Sequence, residues 1–351
     1  MELFKAPRWV VLQVTEKCNL HCKMCYEWGS NGAYLEKKNL CTLPIEKIDE
    51  VFSDLQPYSP HFELFGGEPM LYPDFGGIID LVNFYKCKID MPTNGTILSK
   101  YAKELAQSNF NGVWVSIDGS KEYNDAQRGA GVYEKALSGL REVAFYRKAK
   151  GKNSPKIGVT FIITPDNYKM LQYFFCEELV NEEFDVISIE IQLFTTKRDK
   201  EVFEKQIYDE FGIENTTMAD GYLRDLSTFR GIDIFELCRQ VNYVRDFYKK
   251  RGVKVIGYPK VFNPENIQHF YRAEWAQMCE AHNKCSIPCI YLEIGADGYV
   301  TPCHTFYEIK MGNIYEKSIL EIWNEDKYKQ MREKMKKRIF PICYACSRYY
   351  E

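Results

Sequence analysis

Six short apolar segments alternate with helical ones along the first two thirds of the chain, and this alternation limits the fold more than any other feature. The apolar segments are Trp9–Thr15, His61–Gly67, Cys87–Gly95, Gly112–Gly119, Lys156–Thr164 and Asp185–Phe194. Stretches with the amphipathic periodicity of helices lie between them. Strands joined by helical crossovers pair in parallel, and nearly continuous apolar strands are typical of a covered sheet. The sequence therefore predicts an α/β protein with a parallel sheet that is open or curled.

The later part of the chain departs from this pattern. A polar, charged segment at residues 196–231 follows the sixth strand and is predicted either to cover an active site or to be peripheral. Another helix and a short strand at Val253–Pro259 come next. Six of the 13 cysteines lie beyond Met278. We therefore predict two units, residues 1–275 and residues 276–351.

Charge and hydropathy exclude some classes of protein. The net charge of −3 gives no electrostatic reason to expect nucleic acid, and the basic run Lys327–Arg338 is typical of a solvated helix face. No apolar run reaches the roughly 20 residues that span a bilayer, and the N-terminal residues do not resemble a signal peptide. A cytoplasmic location is expected, where cysteines stay reduced. Clustered, reduced cysteines indicate metal binding.

Cys18, Cys22 and Cys25 form a C-x3-C-x2-C motif directly after the first strand. Structural zinc sites use four protein ligands, and no fourth cysteine or histidine follows in register. A [4Fe–4S] cluster held by three thiolates keeps one iron open. The motif therefore favours an open iron site over an incomplete zinc site.

This motif resembles that of the radical S-adenosylmethionine (SAM) enzymes, although Met24 stands where the family has an aromatic residue and Tyr26 follows the last cysteine. The resemblance implies a partial (β/α)6 TIM-like barrel. It also implies that the amino and carboxylate groups of SAM bind the open iron. Reductive cleavage of SAM would then give a 5′-deoxyadenosyl radical that abstracts hydrogen from a substrate. The family's reductants imply a partner such as flavodoxin or ferredoxin.

Further strand ends match the family's SAM contacts. GGEP closes the second strand, polar residues close the third and fourth, and the RG pair resembles the family's carboxylate-binding arginine, a role that suits a planar guanidinium. The resemblance therefore implies the following cofactor-binding residues: Tyr26, Gly66, Gly67, Glu68, Pro69, Asn94, Ser116, Asp118, Arg128, Ile163 and Thr164.

The C-terminal residues resemble the SPASM/Twitch extension of this family, through Gly298–Cys303, GNI at Gly312–Ile314 and the segment ILEIW. The shorter Twitch form implies a small α+β domain with one auxiliary [4Fe–4S] cluster held by Cys285, Cys303, Cys343 and Cys346. Cys289 is the alternative to Cys285, and zinc fits the four cysteines equally well by spacing. A spare Cys289 is a weak catalytic candidate, and the other acid–base residues are unknown.

These features predict an oxidative modification, either dehydrogenation or formation of a C–C or C–S crosslink, with the auxiliary cluster accepting an electron. The expected substrate is a peptide or a small polar metabolite. The early position of Cys18 disfavours a preceding leader-peptide domain, and the cysteine spacing is similar to that of aminocyclitol dehydrogenases. One alternative is radical C–C bond formation on a lipid, with the aromatic segment Tyr258–Trp275 lining a channel. Another is a non-catalytic Fe–S or zinc protein.

Overall fold

The computed structural model describes residues 4–350, and the outermost residues of the two predicted units lie outside this range. Within it, ten strands form one sheet in the order β10-β9-β8-β1-β2-β3-β4-β5-β6-β7. The strands are β1 Trp9–Thr15, β2 His61–Gly66, β3 Lys88–Thr93, β4 Gly112–Ser116, β5 Lys156–Ile163, β6 Val186–Ile191, β7 Lys254–Tyr258, β8 Tyr291–Ile294, β9 Tyr299–Thr301 and β10 Gly312–Asn313.

The helices connect these strands as the sequence pattern predicts. They are α1 Ile45–Leu55, α2 Phe75–Tyr85, α3 Leu98–Gln107, α4 Lys121–Arg128, α5 Val132–Ala149, α6 Leu171–Tyr173, α7 Lys197–Phe211, α8 Thr217–Tyr222, α9 Ile234–Lys249, α10 Pro264–Tyr271, α11 Ile319–Asn324 and α12 Asp326–Met335. Helix α6 continues into a π-helical turn at Phe174–Glu178. No helix within the described residues is long and apolar enough to cross a membrane.

Strands β1 to β7 are all parallel to their neighbours, which confirms the predicted α/β class and partial barrel. The side chains of each strand alternate between two environments because successive residues point to opposite faces. On β5, Val159 and Phe161 are fully buried against the helices, whereas Thr160 and Ile162 are half-buried on the other face. This second face forms the interior of the barrel.

The sheet continues into the C-terminal region. Strand β8 pairs in parallel with β1, and β9 and β10 then extend the sheet in antiparallel fashion. A turn at Asp297–Gly298 joins β8 to β9, and Gly298 has the positive φ of +79° that such turns require. Because β8 and β1 share one ladder, the predicted C-terminal unit is tied directly to the strand that precedes the first three cysteines.

The polar segment at residues 196–231 contains α7 and α8. Only Phe203 and Ile207 of α7 are buried, and so narrow an apolar stripe gives a weak helical signal. Phe203 packs against Phe306 and Phe340 of the C-terminal region, with ring centroids 6.0 and 6.1 Å apart. The segment therefore fills the space between the barrel and the C-terminal cysteines.

Candidate active site

The loop after β1 brings the first three cysteines together. Burial and the neighbouring carboxylates and thiols raise the pKa of Cys18 and of Cys25 to about 12. The backbone N–H of Trp28 donates to Cys25 Sγ at 3.3 Å, and Cys22 Sγ lies 3.9 Å from the Arg128 carbonyl oxygen. Cys22 is buried and Cys18 and Cys25 are half-buried. Thiols with a raised pKa are held as thiolates when they bind metal, as the irons of an iron–sulfur cluster would do here.

The two glycines of GGEP hold the start of this loop. A Cβ atom at Gly66 would lie 2.4 Å from the Thr15 carbonyl oxygen, and one at Gly67 would lie 2.4 Å from the Lys17 carbonyl oxygen. The backbone N–H groups of Gly67 and Glu68 donate to those same oxygens, at 3.0 and 2.8 Å. Glycine is therefore required by close backbone contact, a requirement that is separate from the predicted contact of Gly66, Gly67, Glu68 and Pro69 with SAM.

Glu68 joins the second strand end to the third. Its buried carboxylate accepts hydrogen bonds from Thr93 Oγ1 at 2.9 Å and from the Asn94 backbone at 2.8 Å. Burial raises the pKa of Glu68 to about 7, although these hydrogen bonds oppose the shift. Asn94 in turn donates from Nδ2 to Asn19 Oδ1 at 3.0 Å, and its Nδ2 lies 4.0 Å from Cys18 Sγ. Glu68 thus positions an amide beside the first cysteine.

Asp118 and Arg128 form a buried ion pair beside Cys22. Arg128 Nε donates to Asp118 Oδ2 at 2.6 Å, and their side chains are 7% and 0% exposed. Gln127 Nε2 donates to the same oxygen at 2.6 Å, and the Ile162 backbone donates to Oδ1 at 2.8 Å. Both Asp118 oxygens are therefore engaged within the protein. This geometry gives Asp118 the role of positioning Arg128, and its direct contact with SAM stays a prediction.

The remaining strand-end candidates are placed differently from one another. Ser116 ends β4 and is half-buried toward the barrel interior. Thr164 donates from Oγ1 to Gln127 Oε1 at 2.8 Å, so it belongs to the network around Asp118. The Ile163 side chain is fully buried in the hydrophobic core. Contact between Ile163 and an adenine ring stays a prediction, which the core position of the side chain does not support.

Tyr26 has partners that its predicted role as a cofactor contact did not include. Its ring stacks on Tyr222 of α8 with centroids 4.8 Å apart, and its hydroxyl makes a short hydrogen bond with His304 Nε2. His304 Nδ1 contacts the fully buried Glu293 of β8 at 3.0 Å. The first cysteine loop is therefore joined to the residue that follows Cys303.

The structure gathers four C-terminal cysteines around one cavity. Cys285, Cys303, Cys343 and Cys346 line it together with apolar side chains such as Met335. Burial raises the pKa of all four thiols, that of Cys346 to about 11. Within residues 4–350, no group of three or more histidines, cysteines or carboxylates is arranged to hold a single metal ion. Four thiols that line one apolar cavity fit an iron–sulfur cluster held by four cysteines.

Cys289 does not share this cavity. It is 2% exposed and ends a short 3₁₀ turn, Ile287–Cys289, beside Arg332 of α12 and Lys336, which follows that helix. The Cys285 backbone N–H, by contrast, donates to the Met335 carbonyl oxygen at 2.8 Å, which fixes Cys285 at the cavity wall. Of the two alternatives, the geometry favours Cys285 as a ligand and leaves Cys289 a buried thiol.

Arg348 connects the cavity to the barrel interior. It lines the four-cysteine cavity, and its Nη2 lies 3.1 Å from Glu63 Oε2 on β2. Its guanidinium also lies 3.8 Å from the ring centroid of Trp9 on β1. Sequence analysis missed Arg348, Glu293 and His304; the only available signal was that Arg348 and His304 lie close to cysteines in the sequence.

The aromatic segment Tyr258–Trp275 is packed into the core. Phe270 lies 5.5 Å from Phe194, and Trp275 stacks on Tyr344 with an interplanar angle of 13°. Both Phe270 and Trp275 are at most 2% exposed. This packing gives the segment a structural role and provides no support for a lipid channel there.

Comparison with protein families finds two matches on this chain. The model of the radical SAM superfamily matches residues 12–164. The model of SPASM, an iron–sulfur cluster-binding domain, matches residues 285–347 and so begins at Cys285.

Three curated proteins illustrate the range of similar sequences. A protein of Pyrococcus furiosus that modifies the cofactor of a tungsten-containing aldehyde ferredoxin oxidoreductase is 23% identical over 97% of this chain and 87% of its own length. Pre-heme d1 synthase of Dinoroseobacter shibae is 32% identical over 46% of this chain. The mycofactocin maturase MftC of Mycobacterium tuberculosis is 30% identical over 48% of it. The matched regions span 38% and 41% of those last two relatives.

Solved structures show the same fold. SuiB of Streptococcus suis bound to S-adenosylmethionine superposes with a TM-score of 0.62 at 17% identity, covering 93% of this chain and 68% of SuiB. The structure of anSMEcpe with bound AdoMet and the Cp18Cys peptide also gives 0.62 at 17% identity, covering 97% and 87%. At this level of identity the likeness concerns the fold.

Proposed function

This chain belongs to the radical SAM enzymes and carries a C-terminal SPASM domain, and from that premise we propose that it oxidatively modifies a peptide or a small polar metabolite. The proposed reaction is a dehydrogenation or the formation of a C–C or C–S crosslink. The observation that supports it most is the hydrogen bond between Tyr26 and His304, which joins the two sets of cysteines. An enzyme that removes both a hydrogen atom and an electron needs two such sites close together.

The cofactors of this enzyme are SAM and iron–sulfur clusters, so the non-catalytic and zinc alternatives are not supported. We assign Cys18, Cys22 and Cys25 to the SAM-binding cluster, and Cys285, Cys303, Cys343 and Cys346 to an auxiliary cluster. When bound, SAM and the first cluster supply a 5′-deoxyadenosyl radical.

The protein's own residues hold and orient these groups. Asp118 fixes the Arg128 guanidinium at 2.6 Å, so Arg128 is pre-oriented to bind a carboxylate such as that of SAM. Glu68 fixes the backbone of Asn94, whose side-chain amide then lies beside Cys18. Helix α8, through the stacking of Tyr222 on Tyr26, covers the first cysteine loop. This stacking packs one side of the loop against α8.

Two observations support a peptide or small polar substrate. The barrel interior carries polar side chains, among them Glu63, Thr160 and Ser188, which suit a substrate with hydrogen-bonding groups. The relatives include a maturase of mycofactocin, a pre-heme synthase and a protein that modifies a tungsten enzyme's cofactor. A lipid substrate has less support because the aromatic segment proposed to line its channel is core.

The proposal is tested with anaerobically reconstituted protein. Iron and sulfide are counted per chain, and dithionite and SAM are then added with and without candidate substrates. We expect about eight irons per chain, formation of 5′-deoxyadenosine, and its acceleration by the true substrate. Zinc in place of iron, or iron without SAM cleavage, would contradict the proposal.

The positioning role of Asp118 gives a second prediction. Asp118→Asn removes the negative partner of a buried ion pair, which should lower the free energy of unfolding by about 3 kcal/mol. Because Arg128 also loses its orientation, we expect SAM to bind about tenfold more weakly, measured by equilibrium dialysis with the holoenzyme. The asparagine oxygen can still accept from the Ile162 N–H, so the strand end should stay in place, whereas Gln127 Nε2 and Arg128 Nε lose the oxygen that they share.

The matched control is Lys121→Gln, seven residues before Arg128. Lys121 pairs with Glu134 at 3.1 Å, but both side chains are about 60% exposed, so the stability change should stay within about 0.5 kcal/mol. An Asp118→Asn protein that is destabilised but binds SAM normally would show that the ion pair is structural only.

A further inference from the structure

Helix α12 and the turn after it carry an unusual concentration of positive charge. Between Lys327 and Arg338 there are seven lysines and arginines and one acid, Glu333, in a chain whose net charge is −3. Arg332 is buried, where its Nε donates to the Pro288 carbonyl oxygen at 3.0 Å. The other six cations lie at the surface.

Local ion pairs neutralise only part of this charge. Lys334 and Arg338 share Glu210 of α7. Lys336 pairs with Glu333 of the run at 2.6 Å, and Lys329 pairs with Asp326, just before the run, at 3.1 Å. Six surface cations against three carboxylates leave about three positive charges on this face. Lys329, Glu333, Lys334, Lys337 and Arg338 line one shallow surface groove, so the charge is concentrated in one place.

The opposite face of the same helix forms part of the C-terminal cysteine cavity. Met335, the last residue of α12, lines that cavity beside Cys285, Cys303, Cys343 and Cys346, and so does Ile339, which follows the helix. An α-helix with its side chains is about 10 Å across. The basic surface therefore lies across the helix from the cavity that the four cysteines line.

We propose that this basic face of α12 and of the turn after it, Lys327–Arg338, is the docking surface for an acidic one-electron carrier protein of the flavodoxin or ferredoxin type. The proposal rests on the proposed function, in which Cys285, Cys303, Cys343 and Cys346 hold a redox group. The positive charge of this face favours a partner with an acidic surface and raises the rate at which the two proteins associate. The position over the cysteine cavity selects a redox partner, because electron exchange needs a short path.

The electron balance is simple. The substrate loses one hydrogen atom to the 5′-deoxyadenosyl radical, then one proton to solvent and one electron to the C-terminal group. The docked carrier, in its oxidised form, accepts that electron and dissociates in its one-electron-reduced form. The C-terminal group thereby returns to its starting oxidation state.

The test uses the reconstituted holoenzyme and a purified acidic flavodoxin as the probe. We expect its association rate, measured by surface plasmon resonance, to fall steeply as salt is raised. The double variant Lys329→Glu/Lys337→Glu should lower that rate by about tenfold at low salt. In the matched control, Lys150→Glu/Lys152→Glu, two charges are reversed in a second exposed basic run that follows α5 and precedes β5. The control should bind as the unmodified enzyme does.

Each outcome decides the proposal. A double variant that binds flavodoxin like the control, or binding that is insensitive to salt, would overturn it. Tighter binding of a duplex DNA oligonucleotide than of flavodoxin to the same face would also overturn it. Lys329→Gln/Lys337→Gln should show a smaller loss in the same direction, which guards against misfolding of the charge-reversed protein. Dithionite-driven SAM cleavage should be unchanged in all variants, and its absence in the unmodified enzyme would refute the proposed function instead.

Discussion

Replacing Cys18, Cys22 and Cys25 together with alanine should abolish SAM cleavage while about half of the iron stays bound. The three thiols lie in the loop after β1, and the four C-terminal thiols line a separate cavity whose walls come from other segments. Loss of the first set therefore leaves the second set of ligands intact. Iron and sulfide counts per chain, together with chromatography of 5′-deoxyadenosine, measure the two effects separately. We expect about four irons and no detectable 5′-deoxyadenosine.

The control for this variant is Cys41→Ala. Cys41 is a free, half-buried cysteine close to the loop, but it contacts Glu16 through its backbone: its N–H donates to Glu16 Oε2 at 2.8 Å. Alanine keeps that hydrogen bond, so iron content and SAM cleavage should be unchanged. If Cys41→Ala lost SAM cleavage as completely as the triple variant, the assignment of the first cluster to Cys18, Cys22 and Cys25 alone would be contradicted.

The strands of the barrel were predictable because their signals are local. Each predicted strand from the first to the sixth overlaps an observed one, and the first matches it residue for residue. Buried alternation and flanking glycines are read within a few residues, so no knowledge of distant contacts is needed. The close packing of Gly66 and Gly67 on Thr15–Lys17 also has a local sequence signal, which is the GG pair at a strand end.

The contacts between the two cysteine sites were not predictable because they join distant residues. Tyr26 and His304 are 278 positions apart, and nothing near either residue encodes the other. The prediction treated Tyr26 only as a cofactor contact, whereas stacking on Tyr222 also depends on α8, whose polar sequence gave no clear period. Asp118 shows the same limit, because a carboxylate at a strand end has the same sequence signature whether it binds a ligand or an arginine.

Replacing Cys285 and replacing Cys289 should have different effects on the iron content. Cys285→Ala should remove the C-terminal cluster and about half of the iron, while Cys289→Ala should keep all of it. The reason is geometric: Cys285 lines the cavity with Cys303, Cys343 and Cys346, and Cys289 lies outside it beside α12. Both are cysteine-to-alanine changes four residues apart, so each serves as the other's control.

Assays of SAM cleavage and of product formation should distinguish the role of Cys285 from that of Cys289. Cys285→Ala should still form 5′-deoxyadenosine with dithionite, because Cys18, Cys22 and Cys25 are untouched, but it should give no oxidised product from the true substrate. Cys289→Ala should keep product formation and lose about 1 kcal/mol of stability from the buried thiol. Electron paramagnetic resonance of the reduced proteins would show one cluster signal in the first variant and two in the second. The opposite pattern of iron loss would make Cys289 the ligand, despite its position outside the cavity.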